Sequence, residues 1–245
     1  MGPSALVSKP RTTKWNPLVD NKPIIDAPRT KFIQRFSSKY VKNARTILDL
    51  GCGVGAYTCT RDNQNCLGLD IEINALNVAK KHSTKTDFIL GSVSKLPFKD
   101  GAFELISMWG VVEQLPIGTE VEVIKEIRRV LSYEGYFLLS AVNNHMISKI
   151  LDPDFYISRQ RYYNTKKLAE LIMENDFDIE ECTIRGGLYT LLTISIFYLH
   201  KYILHKTEGR LLRFFYKKSD KEFHDIKGGR AIIFIASKKK NQIKT

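Results

Sequence analysis

Residues Thr46 to Thr58 read TILDLGCGVGAYT, and a short distance on the chain runs Cys66-Leu67-Gly68-Leu69-Asp70. Both apolar runs end in an acid, Asp49 in the first and Asp70 in the second, and the first then turns through Gly51, Gly53 and Gly55. Short apolar runs bounded by glycine turns read as buried strands of a parallel sheet. Open α/β sheets bind ligands in the crevice beyond the carboxyl ends of neighbouring strands. The pattern therefore predicts a nucleoside pocket with two carboxylates and a glycine loop at its mouth.

The glycines alone do not say which cofactor. Gly51-x-Gly53-x-x-Ala56 also fits a dinucleotide fingerprint, in which backbone amides approach a pyrophosphate at a helix N-terminus. Asp49 argues against that ligand, because a carboxylate beside the loop repels a diphosphate at close range. It favours a ligand that is cationic there, and S-adenosylmethionine carries both an ammonium and a sulfonium. Asp70 suits a bidentate hydrogen bond to the two ribose hydroxyls of either cofactor.

Further along stand GSVSKLPFKDGAFELISMWGVVEQL and the strand-like GYFLLSAVN. Together with the first two segments, in this order and at this spacing, they resemble the motifs of class I methyltransferases. More narrowly they resemble the small-molecule, type 11-like branch, with its D-a-x-x-L-P-F and V-L-E-H-L signatures. The resemblance spans Thr46 to Val142 and, more loosely, Tyr163 to Ser237. It implies an α/β, Rossmann-like, seven-stranded and mostly parallel sheet, with an antiparallel last strand and helices on both faces.

Carried over residue by residue, the resemblance gives Asp49, Gly51, Cys52 and Gly53 to the methionine end of S-adenosylmethionine, with Gly55 starting the next helix. Asp70 takes the ribose and Ile71 packs on the adenine. Where the family has Gly-Asp-Ala, this chain has Gly91-Ser92-Val93, so Ser92 offers one hydrogen bond in place of a charge-assisted contact. Adenine recognition then leans on Ile71 and Val93. Trp109 and Gly110 are expected to present backbone carbonyls to the ammonium.

A second departure concerns the base that an oxygen nucleophile requires. The family's histidine is replaced by Gln114, which cannot act as a base. The nearer candidates are Glu113 and His145. The alternatives are structural: Glu113 as a cap or salt-bridge partner, His145 as a solvated loop residue. Tyr156, Arg159, Arg161, Tyr162 and Tyr163 either line an acceptor pocket or form an ordinary surface loop.

The 245 residues, 43% of them hydrophobic, suffice for one domain with elaborations. The division expected is an N-terminal arm and helix over residues 1–45 capping the pocket, then a methyltransferase domain over 46–245. No secretory pattern opens the chain, and the four cysteines, Cys52, Cys59, Cys66 and Cys182, match no zinc spacing. A cytoplasmic protein with reduced thiols and no metal is expected. The net charge of +12 is unevenly spread: residues 1–45 carry +8, residues 200–245 carry +9 and the stretch between them −5. Such asymmetry points to an anionic partner or surface, or simply to solvated tails such as Lys238-Lys239-Lys240.

Helices are expected at Pro28–Lys42, Ile73–Lys81, Glu120–Leu131 and Thr165–Met173, the last with Thr165 as N-cap. Strands are expected at 47–50, 66–70, 87–90, 103–108, 136–141, 177–184 and 231–236. Between the last two strands, at about 187–220, the chain inserts LYTLLTISIFYLHKYIL and a basic-aromatic segment from Arg210 to Lys218. The uncharged stretch is short of the ~20 residues that a bilayer span needs. The insertion is read either as a helical pair packed on the sheet edge or a partner, or as an apolar lid beside the site touching anionic lipid. The expected function is methylation of a small or lipid-linked acceptor, glycans included, with oxygen favoured. An RNA-directed enzyme, or a catalytically silent cofactor-binding protein, are the alternatives. Nucleic-acid binding is disfavoured, because Ser-Met-Trp-Gly stands where base methylases carry a proline-bent motif.

Overall fold

A computed structural model describes residues 28–58, 65–83, 85–145, 149–150, 152, 156, 161–206, 209–225 and 229–238. The expected arm over residues 1–27, and Cys59, Arg159, Lys239 and Lys240, lie outside the described residues.

A seven-stranded sheet forms the centre, in the order β3-β2-β1-β4-β5-β7-β6. Its strands are β1 (Thr46–Leu50), β2 (Asn65–Asp70), β3 (Asp87–Leu90), β4 (Phe103–Trp109), β5 (Leu131–Val142), β6 (Phe177–Arg185) and β7 (Ala231–Lys238). Strands β1 to β5 pair in parallel, and β7 runs antiparallel to both β5 and β6. The expected architecture is the one observed. The order reverses at β1, where the chain crosses from β3 to β4, and this switch point is where a ligand crevice opens.

The helices are α1 (Pro28–Val41), α2 (Ile73–His82), α3 (Glu120–Val130), α4 (Thr165–Glu174), α5 (Leu188–Tyr202) and α6 (Arg210–Asp225). Alternation along β1 sends Ile47 to one face and Leu48 and Leu50 to the other. Leu48 and Leu50 join Ile106, Met108, Phe137 and Phe234 beneath α3 and α4, whose Val123, Ile124, Ile127, Leu168 and Ile172 are buried. Ile47 joins Leu105, Leu138 and Ile235 beneath Val41 of α1. α6 lies beside α1 on this face, with the Phe32 and Phe223 rings 5.7 Å apart.

The structure corrects one cap and one strand start. The N-cap of α4 is Asn164, not Thr165: Asn164 Oδ1 accepts from the amides of Lys166 and Lys167 at 2.9 and 3.3 Å, and Thr165 is the first helical residue. β5 begins at Leu131, five residues before the expected Tyr136, and Gly135 lies inside it. Leu131 pairs with Phe103, and the register then shifts before Leu105 meets Tyr136. A Cβ on Gly135 would sit 2.7 Å from Leu131 and 3.0 Å from the Glu104 carbonyl, so the glycine marks a close approach rather than a strand end.

The insertion folds as the helical pair α5 and α6. The first turn of α5 has no cap of its own, since Gly187 stands at its N-cap. Glu222 of α6 supplies one. Its carboxylate accepts from the amides of Gly187, Tyr189 and Thr190 at 3.1, 3.0 and 2.9 Å and from Thr190 Oγ1 at 3.2 Å. A buried carboxylate there satisfies otherwise orphaned donors and opposes the positive end of the helix dipole. Glu222→Ala would leave those buried amides unpaired. We expect a loss of roughly 3 kcal/mol in urea unfolding, and a smaller loss for Glu222→Gln, which keeps one acceptor oxygen.

Candidate active site

The parallel register aligns a row of polar side chains across otherwise apolar strands. Asp49 of β1 pairs with Ser107 of β4, and Trp109 of β4 pairs with Ser140 of β5. Asp49, Ser107 and Ser140 are all buried, close to the carboxyl ends of their strands. Ser107 Oγ donates to Asp49 Oδ1 at 2.7 Å, and Thr58 Oγ1 donates to Oδ2 at 2.5 Å. The two hydroxyls replace water around a carboxylate that burial would otherwise penalise.

Arg29, near the start of α1, enters the same space. Its Nη2 donates to Ser140 Oγ at 2.7 Å, and its guanidinium lies where a Cβ on Gly110 would come within 2.8 Å. Arg29, Ile33, Asp49, Gly51, Tyr57 and Trp109 are among the residues around a cavity of about 180 Å³. Trp109 stands edge-on to Tyr57, ring centroids 5.3 Å apart. Its buried Nε1 has no hydrogen-bond partner among the described residues. A larger depression, about 590 Å³, lies at the opposite ends of the strands among Asp100, Arg128, Asp176 and Lys238, and is lined by none of the expected cofactor or catalytic residues.

The glycine loop is held from two sides. Gly51 and Cys52 amides donate to the Leu69 carbonyl at 2.7 and 3.1 Å. The Gly53 amide donates to Asp70 Oδ2 at 2.7 Å, and the Glu72 amide to Asp70 Oδ1 at 2.8 Å. Asp70 is thus a brace between the loop and the end of β2, and each oxygen keeps a second lone pair for a hydroxyl donor. Burial raises its carboxyl above the usual value, against the lowering pull of those amides. The raised acid contributes stability below the ordinary carboxylate pKa and loses it as pH rises. Hydroxyl donors from a ligand would favour its ionised form.

The other expected cofactor residues are placed as follows. Gly51, Gly53 and Gly55 all have positive φ, at +65°, +54° and +81°. Gly55 closes a turn through its amide to the Cys52 carbonyl at 2.9 Å, and any helix it starts would run into residues 59–64, outside the described ones. Cys52 packs its thiol beneath the loop against Leu76, Ala79 and Phe88; burial, then the charges of Asp49 and Asp70, push its pKa well up and leave the thiol inert. Ile71 is half-exposed beyond β2. Ser92 and Val93 follow β3, where Ser92 Oγ accepts from the Ser94 amide at 3.3 Å. Gly110 has its carbonyl engaged by Gln114 Nε2 at 3.3 Å.

Glu113 is buried in a short 3₁₀ turn after β4. His145 is exposed beyond β5, its amide donating to the Asn143 carbonyl at 2.8 Å. The polar-aromatic cluster divides. Arg161 donates to the carbonyls of Val112 and Leu115 at 3.0 and 2.8 Å and pairs with Glu120, while Tyr163 OH donates to the Val112 carbonyl at 3.0 Å. Both brace the turn that carries Glu113. Tyr162 OH donates to Asp152, which also forms a buried ion pair with Arg230, and Tyr156 is exposed.

The sequence reading missed Arg29, Thr58, Ser107 and Ser140. The serines carried a signal, since each interrupts an apolar strand run, in ELISMW and FLLSAV. Arg29 carried none.

Residues 48–139 match the family model described as a methyltransferase domain. An uncharacterised protein of Methanocaldococcus jannaschii is 33% identical over 153 residues, which are 62% of this chain and 59% of that one, so the chain spans somewhat over half of this relative's length. Among solved structures, the PH0226 protein of Pyrococcus horikoshii superposes with a TM-score of 0.62 at 17% identity, covering 92% of this chain and 97% of its own. A SAM-dependent methyltransferase of Methanosarcina mazei superposes with a TM-score of 0.58 at 18% identity, covering 83% and 97%. The chain has the fold of the class I S-adenosylmethionine-dependent methyltransferases.

The loop glycines differ in what a side chain would meet. A Cβ on Gly51 would lie 2.2 Å from Val111, whereas one on Gly53 meets nothing within 4 Å. Gly51→Ala combines left-handed strain with overpacking, and urea unfolding should show a loss of about 2–4 kcal/mol. Gly53→Ala should lose only about 1–2 kcal/mol, while projecting a methyl into the open space of the loop.

Proposed function

We propose that this chain transfers the methyl group of S-adenosylmethionine to a small or lipid-linked acceptor, with an oxygen as the favoured nucleophile. One observation carries the cofactor assignment: a buried carboxylate, Asp49, and a guanidinium, Arg29, border the same small cavity at the switch point of the sheet. That pairing of charges complements a zwitterionic amino-acid end, with Asp49 toward an ammonium and Arg29 toward a carboxylate. A dinucleotide would instead bring its diphosphate against Asp49. At about 180 Å³ the cavity is smaller than the ~300–1,000 Å³ usual for whole ligands. It suits the amino-acid portion, and the nucleoside is assigned to the rim of Asp70, Ile71, Ser92 and Val93.

When bound, the cofactor supplies an activated methyl group whose leaving group is a neutral thioether. The protein's part is therefore alignment, which can contribute several kcal/mol. Asp70 serves twice, bracing the Gly53 amide and accepting from ribose hydroxyls. Trp109 Nε1 offers a buried donor to the ligand. For the proton of an oxygen nucleophile we assign His145, which is exposed just beyond β5, ahead of Glu113, which is buried in a turn held by Arg161.

Asp70→Ala should weaken S-adenosylhomocysteine binding by roughly 1.5–3 kcal/mol in calorimetry; unchanged affinity retires the ribose role. Thermal shift separates the cofactors, since a bound ligand raises stability by mass action. Stabilisation by NAD and not by S-adenosylhomocysteine would replace methyl transfer with a dehydrogenase.

The acceptor class is tested with methyl-labelled cofactor and a cell extract. Label in the small-molecule or solvent-extractable fraction is expected, and His145→Ala should cut it at least tenfold with S-adenosylhomocysteine binding retained. Label confined to RNA supports the nucleic-acid alternative, and no label at all a silent cofactor-binding protein.

A further inference from the structure

The insertion between β6 and β7 is built inside out. Where α5 meets α6, the contact includes hydroxyls and a carboxylate: Thr190 Oγ1 lies 2.9 Å from Ser219 Oγ, and Glu222 caps the helix. Leu191 and Leu212 are buried in the pair, but other leucines and isoleucines go outward. Leu188, Leu192, Ile196, Leu199 and Ile203 recur at helical spacing along one side of α5 and its end. Leu188, Leu199 and Ile203 are 56, 46 and 66% exposed, and Leu211 and Phe214 of α6 are 52 and 55% exposed. Exposed apolar groups that line up on one surface mark a place where something else binds.

Two further hydroxyls of α5 are turned to the helix itself. Thr193 Oγ1 donates to the Tyr189 carbonyl at 2.6 Å, and Ser195 Oγ to the Leu191 carbonyl at 3.1 Å. Back-bonding of this kind lets a hydroxyl sit in apolar surroundings. The side chains of the outward stripe, apart from Ser195, are aliphatic and offer no hydrogen-bonding group.

Charge accompanies the apolar surface. The solvent side of α6 carries Arg210, Arg213, Lys217, Lys218 and Lys221. Among the acids of α6, Glu222 is buried under α5, Asp220 is half-buried and Asp225 is exposed. The two helices share one rim, because Lys218 Nζ lies 6.0 Å from the Tyr189 ring and 5.9 Å from the Phe214 ring. Tyr189 in turn stands 6.3 Å from Phe215. Lysine heads beside tyrosine and phenylalanine, next to an aliphatic stripe, match the layering of a phospholipid interface: charge and aromatic rings at headgroup depth, hydrocarbon below. No helix among the described residues is long and apolar enough to cross a membrane, so the geometry suits lying on the surface.

We propose that the outward faces of α5 and α6 together form a docking surface for an anionic phospholipid bilayer. A second copy of the chain is the poorer occupant, because face-to-face pairing would set these lysines and arginines against their own kind. The proposal does not depend on the methyl-transfer assignment, as its probe is the bilayer alone.

The test is flotation of the full chain with vesicles of phosphatidylcholine, or of phosphatidylcholine mixed with phosphatidylglycerol, at low and high salt. Binding is expected on the mixed vesicles only, weakening as salt screens the charges. Lys217→Gln with Lys221→Gln should lower the partition about 30-fold, equivalent to about 1 kcal/mol per lysine. Leu199→Gln with Ile203→Gln should remove the part that survives high salt. All four positions are exposed or sit at a helix end, and matched circular dichroism and thermal midpoints establish that both variants are folded. Absence of flotation at low salt, equal flotation on neutral vesicles, or wild-type binding by both variants each overturns the proposal. Self-association in sedimentation without flotation assigns the face to a second copy and overturns it equally.

Discussion

A carboxylate at the end of a central strand cannot simply be buried; stripped of water it must find donors or take up a proton. Asp49 finds them in Ser107 and Thr58, and much of the site's arrangement is tied to that solution. Ser107 is available because β4 pairs with β1 in a register that sets the two residues opposite. Thr58 is available because the glycine loop doubles back over the strand end. The hydroxyls hold the acid at the edge of the cavity, which the guanidinium brought by α1 also borders.

The motifs that lie apart in the chain touch in space, and their contacts explain their residue types. Gly51 lacks a side chain because Val111, of the segment after β4, fills that space, and Gly110 because Arg29 fills the corresponding one. Asp70 ties β2 to the loop that follows β1. Arg161 and Tyr163 reach back from the segment before α4 to hold the turn containing Glu113. A change at one motif is therefore felt at the next across this end of the sheet.

The insertion follows a different logic. α6 is integral to the fold, with Phe223 packed on Phe32 of α1, while α5 is capped at its first turn by Glu222 and buries Leu191, Thr193 and His200 along its inner side. Its aliphatic side is left outward beside a basic helix. The sheet supplies a site, and the insertion supplies a surface of another chemical character close to β6 and β7.

The sequence by itself determined the sheet, because its strands are apolar runs bounded by glycines and acids whose period and length leave few alternatives. It also determined the switch-point location of the crevice, and it placed two acids there. It placed the insertion, whose composition differs from the rest. Only the tertiary structure decided what those acids touch. Asp70 stood out in the sequence as a candidate partner for a ribose but not as a brace for Gly53, since that bond joins residues seventeen apart through the fold. Arg161 read either as lining an acceptor pocket or as part of a surface loop, and the fold binds it to Val112, Leu115 and Glu120. Arg29 was invisible, for one basic residue on an amphipathic helix looks like any other until packing aims it inward. Local pattern records what each segment would bury; which partner it buries that group against depends on strand register and helix docking, and these are properties of the whole chain.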